Sequence, residues 1–212
     1  MTLTEFGHAY KSVIVSPTKA FKQIDGNSKK MLLGFVAALI PAILYTLFYI
    51  MASAAGGAPS AFVPWLNLPM DRYYFFAIFL SIPGYLLAFF FATGFVYFCL
   101  RLSKTEVSFE SVLMVLGFGV GVGSLSSLVH DLTDSFLGFI GVIDLKQYEM
   151  ILNQPTYWRY LLLTLYTIYF IWIFILFQKG FKVVANIGNG KSTVFALISL
   201  VVFQMVLLIT IR

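Results

Sequence analysis

Met31–Ala55 runs for 25 residues without a charged side chain, and Tyr73–Leu100 for 28. A helix rising 1.5 Å per residue needs about 20 mostly apolar residues to cross the hydrocarbon of a bilayer, so both stretches are long enough to span. Trp158–Phe177 holds only Arg159, near its edge, and Thr193–Ile211 holds no charge. A fifth run, Val112–Val129, is shorter, rich in glycine and serine, and stops at His130-Asp131. Alternation of polar and apolar residues is absent from these runs, which argues against a transmembrane β-barrel. Open backbone is not tolerated in lipid, so helices remain. The expected fold class is all-α: a polytopic bundle of five transmembrane helices, at about 31–55, 73–100, 112–129, 158–177 and 193–211, preceded by a 1–30 cytoplasmic segment of short amphipathic helices.

Composition agrees. The chain is 60% hydrophobic and 11% charged, against roughly 25% charged residues in an ordinary soluble domain. That excludes a water-soluble domain, a disordered tail and a nucleic-acid module. The lone Cys99 excludes a disulfide framework. The first span is not read as a cleaved signal peptide, because thirty residues precede it and its apolar core is too long.

Positive charge sets the orientation. Lys11, Lys19, Lys22, Lys29, Lys30, Arg101, Lys104, Lys179, Lys182 and Lys191 fall on one side. Arg72, Lys146, Arg159 and Arg212 fall on the other. Acidic residues lean the opposite way, with Asp71, Asp131, Asp134, Asp144 and Glu149 on the poorly basic side and Glu5, Asp25, Glu106 and Glu110 on the rich one. Ten basic against four acidic, and four against five, give +6 and −1, which recover the total of +5. The basic side is expected to be cytoplasmic, with the N terminus in, the C terminus out, and the protein multi-pass in the inner (plasma) membrane.

In the first thirty residues Leu3, Phe6, Tyr10 and Val13 make one helical stripe. Ser16-Pro17 then reads as a cap with proline at the first helical position. The helix that follows turns Phe21 and Ile24 inward and Lys19 and Lys22 outward, and ends at Asp25-Gly26-Asn27. This segment fits either a basic platform on anionic lipid, using Lys11, Lys19, Lys22, Lys29 and Lys30, or a cap packed on the bundle's own base. Pro64, Pro69 and Trp65 mark a turn-rich outer loop with an interfacial tryptophan. Tyr73, Tyr74, Tyr157, Trp158 and Tyr160 read as interfacial anchors. Phe136–Ile143 is too short to span and reads as interfacial or re-entrant. One continuous helix from Val112 to Ile143 would carry Asp131 and Asp134 deep into the membrane, so a break at the end of the third span is expected.

Four features could carry function. Gly117, Gly119, Gly121 and Gly123 form two interleaved G-x-x-x-G pairs, a surface for close packing within the bundle or against another subunit. His130, Asp131 and Asp134 are the one dense ionisable cluster and a weak candidate for a divalent cation or a proton relay, set against ordinary charges at a helix end. Ala185–Ser192 fits a relaxed phosphate-loop pattern, yet no strand leads into it, so it reads as a turn and no nucleotide or other cofactor is expected. Pro41 and Pro83 should kink or open the first two spans. No catalytic constellation is visible, and an enzyme is not expected.

The order of parts carries a resemblance. Ser16-Pro17-x-x-Ala20-Phe21-x-x-Ile24 precedes the first span, and a short basic loop follows the second. Val107-Ser108-Phe109-x-x-Val112-Leu113-x-Val115-x-Gly117-Phe118 then leads into a small-residue span. The chain resembles a prokaryotic member of the Yip (Ypt-interacting protein) domain family of five-span membrane proteins. The resemblance implies a helical bundle with a cytosolic N terminus and no catalytic residues. Its eukaryotic members act in vesicle trafficking, bind small Rab-type GTPases and associate with other membrane proteins. The expected function is therefore an accessory or scaffold protein in a transport or trafficking-type complex. Its partners would be membrane lipids and another membrane protein or a second copy, with no nucleic acid. The alternative is a small transporter or channel using the kinked spans and the His130 cluster. Labelling single cysteines placed at Lys191 and Lys146 checks the orientation: the two are expected to react from opposite faces of the membrane, and labelling from one face overturns it.

Overall fold

A computed structural model of the chain describes residues 2–59 and 68–211. Trp65 and Pro64 of the first outer loop, and Arg212, lie outside the described residues. All regular structure among them is helical: α1 (Leu3–Val15), α2 (Pro17–Asp25), α3 (Lys30–Ala54), a single 3-10 turn (Met70–Arg72), α4 (Tyr73–Leu102), α5 (Phe109–Gly123), α6 (Leu125–Phe139), α7 (Leu145–Leu152), α8 (Tyr157–Val184) and α9 (Asn189–Ile211). Four helical stretches, Lys30–Ala54, Met70–Leu102, Tyr157–Val184 and Asn189–Ile211, are long and apolar enough to cross a membrane. The pair α5 and α6 meets the same test together, bent by 43° at the break between them. The chain is thus a multi-pass membrane protein with four to five candidate spans.

The centre of the bundle is α5, in which every residue from Ser111 to Gly123 is buried. Its glycines make that possible. A Cβ added at Gly117 would fall inside the van der Waals envelope of the Gly34 carbonyl on α3, and one at Gly121 inside that of Ala37. On the opposite side, Cβ atoms at Gly119 and Gly123 would collide with Phe177 and Ile173 of α8. The contact is reciprocal, since Gly34 has no room against Met114 and Gly180 none against Val115. The order of contacts shows α3 running parallel to α5 and α8 antiparallel to it. The two interleaved glycine pairs therefore face two different neighbours in the same chain and are consumed by internal packing, not left free for another subunit.

The break between α5 and α6 lies at Ser124, not after Val129 where the charges begin. Four glycines in seven residues weaken the helix, and a Gly/Ser junction is a common place for a sharp bend. Beyond it, the Ser126 hydroxyl bonds to the Gly123 carbonyl and the Ser127 hydroxyl to the Ser124 carbonyl. Helix then continues through His130, Asp131 and Asp134 to Phe139. α5 alone, at 15 residues, is about 22 Å long and too short to cross. By contrast, helix runs unbroken through Pro41 in α3 and Pro83 in α4. Phe136–Ile143 divides between two features: its first half ends α6 and its second half is a turn containing Gly141 at φ +75°.

The N-terminal helices belong to the bundle. Thr2 and Glu5 cap α1 reciprocally. The Glu5 carboxyl is held below its ordinary range by the Thr2 backbone N–H and then by Lys29, 3.9 Å away. Ser16 precedes Pro17 at the start of α2 but makes no side-chain cap bond. The Tyr10 hydroxyl donates to the Gly121 carbonyl at 2.6 Å, and Phe6 stacks on Phe118. Val13, Ala20, Phe21 and Ile24 are buried, while Leu3 at the tip stays exposed. Of the five lysines, Lys11, Lys19, Lys22 and Lys29 are exposed. Lys30 is not a free surface charge, because its Nζ lies 2.9 Å from Asp25 and 2.8 Å from the Ser111 hydroxyl. That triad ties α2, α3 and α5 together.

Gly117→Ala is expected to lower stability by about 3 kcal/mol, the upper range for overpacking, because its new methyl meets backbone that cannot rotate away. Gly94→Ala, with open space around it, is expected to be neutral or slightly stabilising. Unfolding of the detergent-solubilised protein compares the two.

Candidate functional site

At the far end of the bundle from Lys30, α6 carries His130, Asp131 and Asp134 on its inner face, all less than a tenth exposed. The bend at Ser124 and the packing of α6 on α3 and α8 turn these residues inward. The helix end expected at this point in the sequence is a helix interior. His130 Nδ1 lies 3.3 Å from Asp131 Oδ1 and 3.6 Å from Asp134 Oδ2, the latter one helical turn away. The Tyr148 hydroxyl, on α7, meets His130 Nε2 at 3.2 Å. Burial pushes the Tyr148 phenol up to about 12, which keeps it protonated. The Tyr166 hydroxyl, on α8, donates to Asp131 Oδ2 at 3.1 Å. Asp134 Oδ1 accepts from the Ser135 backbone N–H at 2.8 Å.

A second carboxylate-phenol pair lies alongside. The buried Glu149 on α7 accepts from the hydroxyl of Tyr74 on α4. Tyr74 is thus an interior residue, as is Tyr73, whose hydroxyl donates to the Ile211 carbonyl. Neither is a lipid-facing anchor, whereas Tyr157, Trp158 and Tyr160 are exposed. Burying a charge away from water is costly unless it is paired and hydrogen-bonded, and these residues supply both conditions from four helices. The arrangement is a continuous path, Tyr148–His130–Asp131–Tyr166, able to hold and pass a proton. Among the described residues no group of three or more histidine, cysteine, aspartate or glutamate side chains is arranged to hold an ion. His130, Asp131 and Asp134 come together because α6 continues as helix through all three. Tyr148, Glu149, Tyr166 and Tyr74 escaped the sequence reading because they join the cluster from three other helices.

Next to this path lies a cavity of about 320 Å³, lined by α3, α4, α8 and α9. Five tyrosines line it: Tyr45, Tyr49, Tyr85, Tyr166 and Tyr169. Tyr45 is hydrogen-bonded to Ser127 at 2.9 Å, and Tyr85 to Ser124 at 3.2 Å, so the polar break between α5 and α6 is finished by the cavity's own wall.

The phosphate-loop pattern folds as a helix-to-helix turn. Asn186 adopts φ +48°, α9 starts at Asn189, and the Ser192 hydroxyl bonds back to the Asn189 carbonyl. No strand precedes it among the described residues.

His130→Ala removes the base between two buried carboxyl groups and is expected to destabilise by about 3 kcal/mol. Adding Asp131→Asn and Asp134→Asn to that variant is expected to recover more than half of the loss. Equilibrium unfolding in detergent reads the cycle. A neutral His130→Ala would show that the cluster is not coupled.

The comparisons with known proteins agree with this architecture. The model of the Yip1 domain matches residues 11–211, nearly the whole chain, and so takes in α2 to α9 and part of α1. No curated protein and no solved structure matches. A family match across the whole bundle, on a chain of apolar helices, identifies this protein as a member of the Yip1 domain family.

Proposed function

We propose that this Yip1-domain protein works by association, as an accessory or scaffold subunit of a membrane complex, with its basic end on the cytoplasmic face of the inner (plasma) membrane. The observation that carries the reading is the mounting of α1 and α2. Their apolar sides are fixed by Tyr10 on Gly121, Phe6 on Phe118 and the buried Phe21 and Ile24. Lys11, Lys19, Lys22 and Lys29 are left pointing outward from a rigid base. A rigid charged face loses little entropy on docking, which favours a specific partner. The glycine run is spent inside the bundle, so this face replaces it as the contact surface. No chemical step is assigned to the protein.

A second reading, a small transporter, is favoured by the buried Tyr148–His130–Asp131–Tyr166 path. Ionisable residues inside a membrane bundle commonly mark a proton or substrate route.

Purification in mild detergent is expected to recover a stoichiometric membrane partner or a second copy. Lys19→Glu with Lys22→Glu is expected to reduce recovery at least tenfold while leaving the melting temperature unchanged. A clean monomer that also forms no cross-links from position 19 or 22 in intact membranes rules the reading out. Proteoliposome flux that depends on Asp131 would favour transport instead.

A further inference from the structure

We propose that the tyrosine-lined cavity is a binding site for an amphiphilic organic cation, its ammonium head among the tyrosine rings and its apolar body along α8 and α9. The inference goes beyond the association reading and holds whether or not the protein transports anything.

The volume, about 320 Å³, is within the usual range for a small-molecule site. The lining divides into two chemistries. One part is aromatic and polar: the five tyrosines with Thr167 and Gln204. The other is aliphatic or phenyl: Leu163, Phe170, Leu207, Leu208 and Ile211. An occupant that satisfies both must be amphiphilic.

The sign of the head group follows from the charges around it. No lysine or arginine lines the cavity. Asp131 is bonded to Tyr166 in the wall, and Asp134 stands beside it on His130. An acidic residue joined to the wall, with no basic residue in the lining, biases the site toward a cation. Tyrosine faces attract an ammonium through the ring quadrupole, most strongly where water is excluded. An inorganic cation is a poor match, because the lining holds no carboxylate or imidazole to replace a hydration shell.

The route of entry is lateral. Leu163 is 41% exposed and Phe170 40%, both on the outer surface of α8 and both in the lining. The mouth therefore opens toward lipid, where an amphiphilic cation partitions. A lipid amine and a free amphiphile share the chemistry that this site recognises.

Binding of radiolabelled octyltrimethylammonium to the purified protein in uncharged maltoside micelles, corrected for empty micelles, tests the proposal. Saturable one-to-one binding is expected. It should be at least about tenfold tighter than that of the neutral analogue with carbon in place of nitrogen, or of octylsulfonate. Asp131→Asn and Tyr85→Leu, each assayed below its own melting temperature, are expected to weaken it by about tenfold. The wild-type comparison of cation, neutral analogue and anion needs no variant, so it stands even if a substitution fails to fold. Equal affinity for the neutral analogue, or no saturable binding of the cation, overturns the proposal. Competition by phosphatidylethanolamine but not phosphatidylglycerol supports it and identifies a lipid amine as the source. A saturable cation site indifferent to both lipids supports it with a free amphiphile as the source.

Discussion

Everything in this bundle depends on how closely α5 approaches its neighbours. In lipid the hydrophobic effect supplies little attraction between apolar helices, so contact, hydrogen bonds and fit must hold them together. Removing the side chains at Gly117 and Gly121 lets α3 lie against α5 backbone to backbone, and removing them at Gly119 and Gly123 admits the Phe177 and Ile173 side chains of α8. One helix is thereby sandwiched along alternate faces. The same glycines deplete α5 of helix-forming strength, and the helix gives way at Ser124.

That break has chemical consequences. It redirects α6 so that His130, Asp131 and Asp134 face the interior, where phenols from α7 and α8 meet them. It also leaves serine hydroxyls near the middle of the bundle that Tyr45 and Tyr85 satisfy. Packing, the buried polar path and the adjoining cavity are thus one structural event. The two ends of the protein divide the work. The Lys30–Asp25–Ser111 triad locks the N-terminal helices to the bundle, and the histidine–carboxylate cluster occupies the opposite end.

Much of the fold was legible in one dimension, because the period and length of apolar runs are local properties that a bilayer reads directly. The four long runs became α3, α4, α8 and α9 with shifts of a few residues, except that α8 extends seven residues past Phe177 to Val184. Phe21 and Ile24 turned inward and Lys19 and Lys22 outward, as their spacing required. The third span was harder, because charge was a misleading stop signal. Asp131 and Asp134 looked too costly to lie within a helix of the bundle, and only partners distant in sequence, Tyr166 and Tyr148, make that position tolerable. Tyr73 and Tyr74 misled for the same reason, since an aromatic at a span end is an anchor only if nothing inside claims its hydroxyl.

The sequence by itself determined the class of molecule and its four long apolar helices, since both follow from local composition and a bilayer of fixed thickness. Tertiary structure alone decided which neighbours the glycines would admit, where the third apolar run would bend, and which phenols would reach the buried carboxyl groups. Those outcomes are distances between helices far apart along the chain, and no local period encodes them.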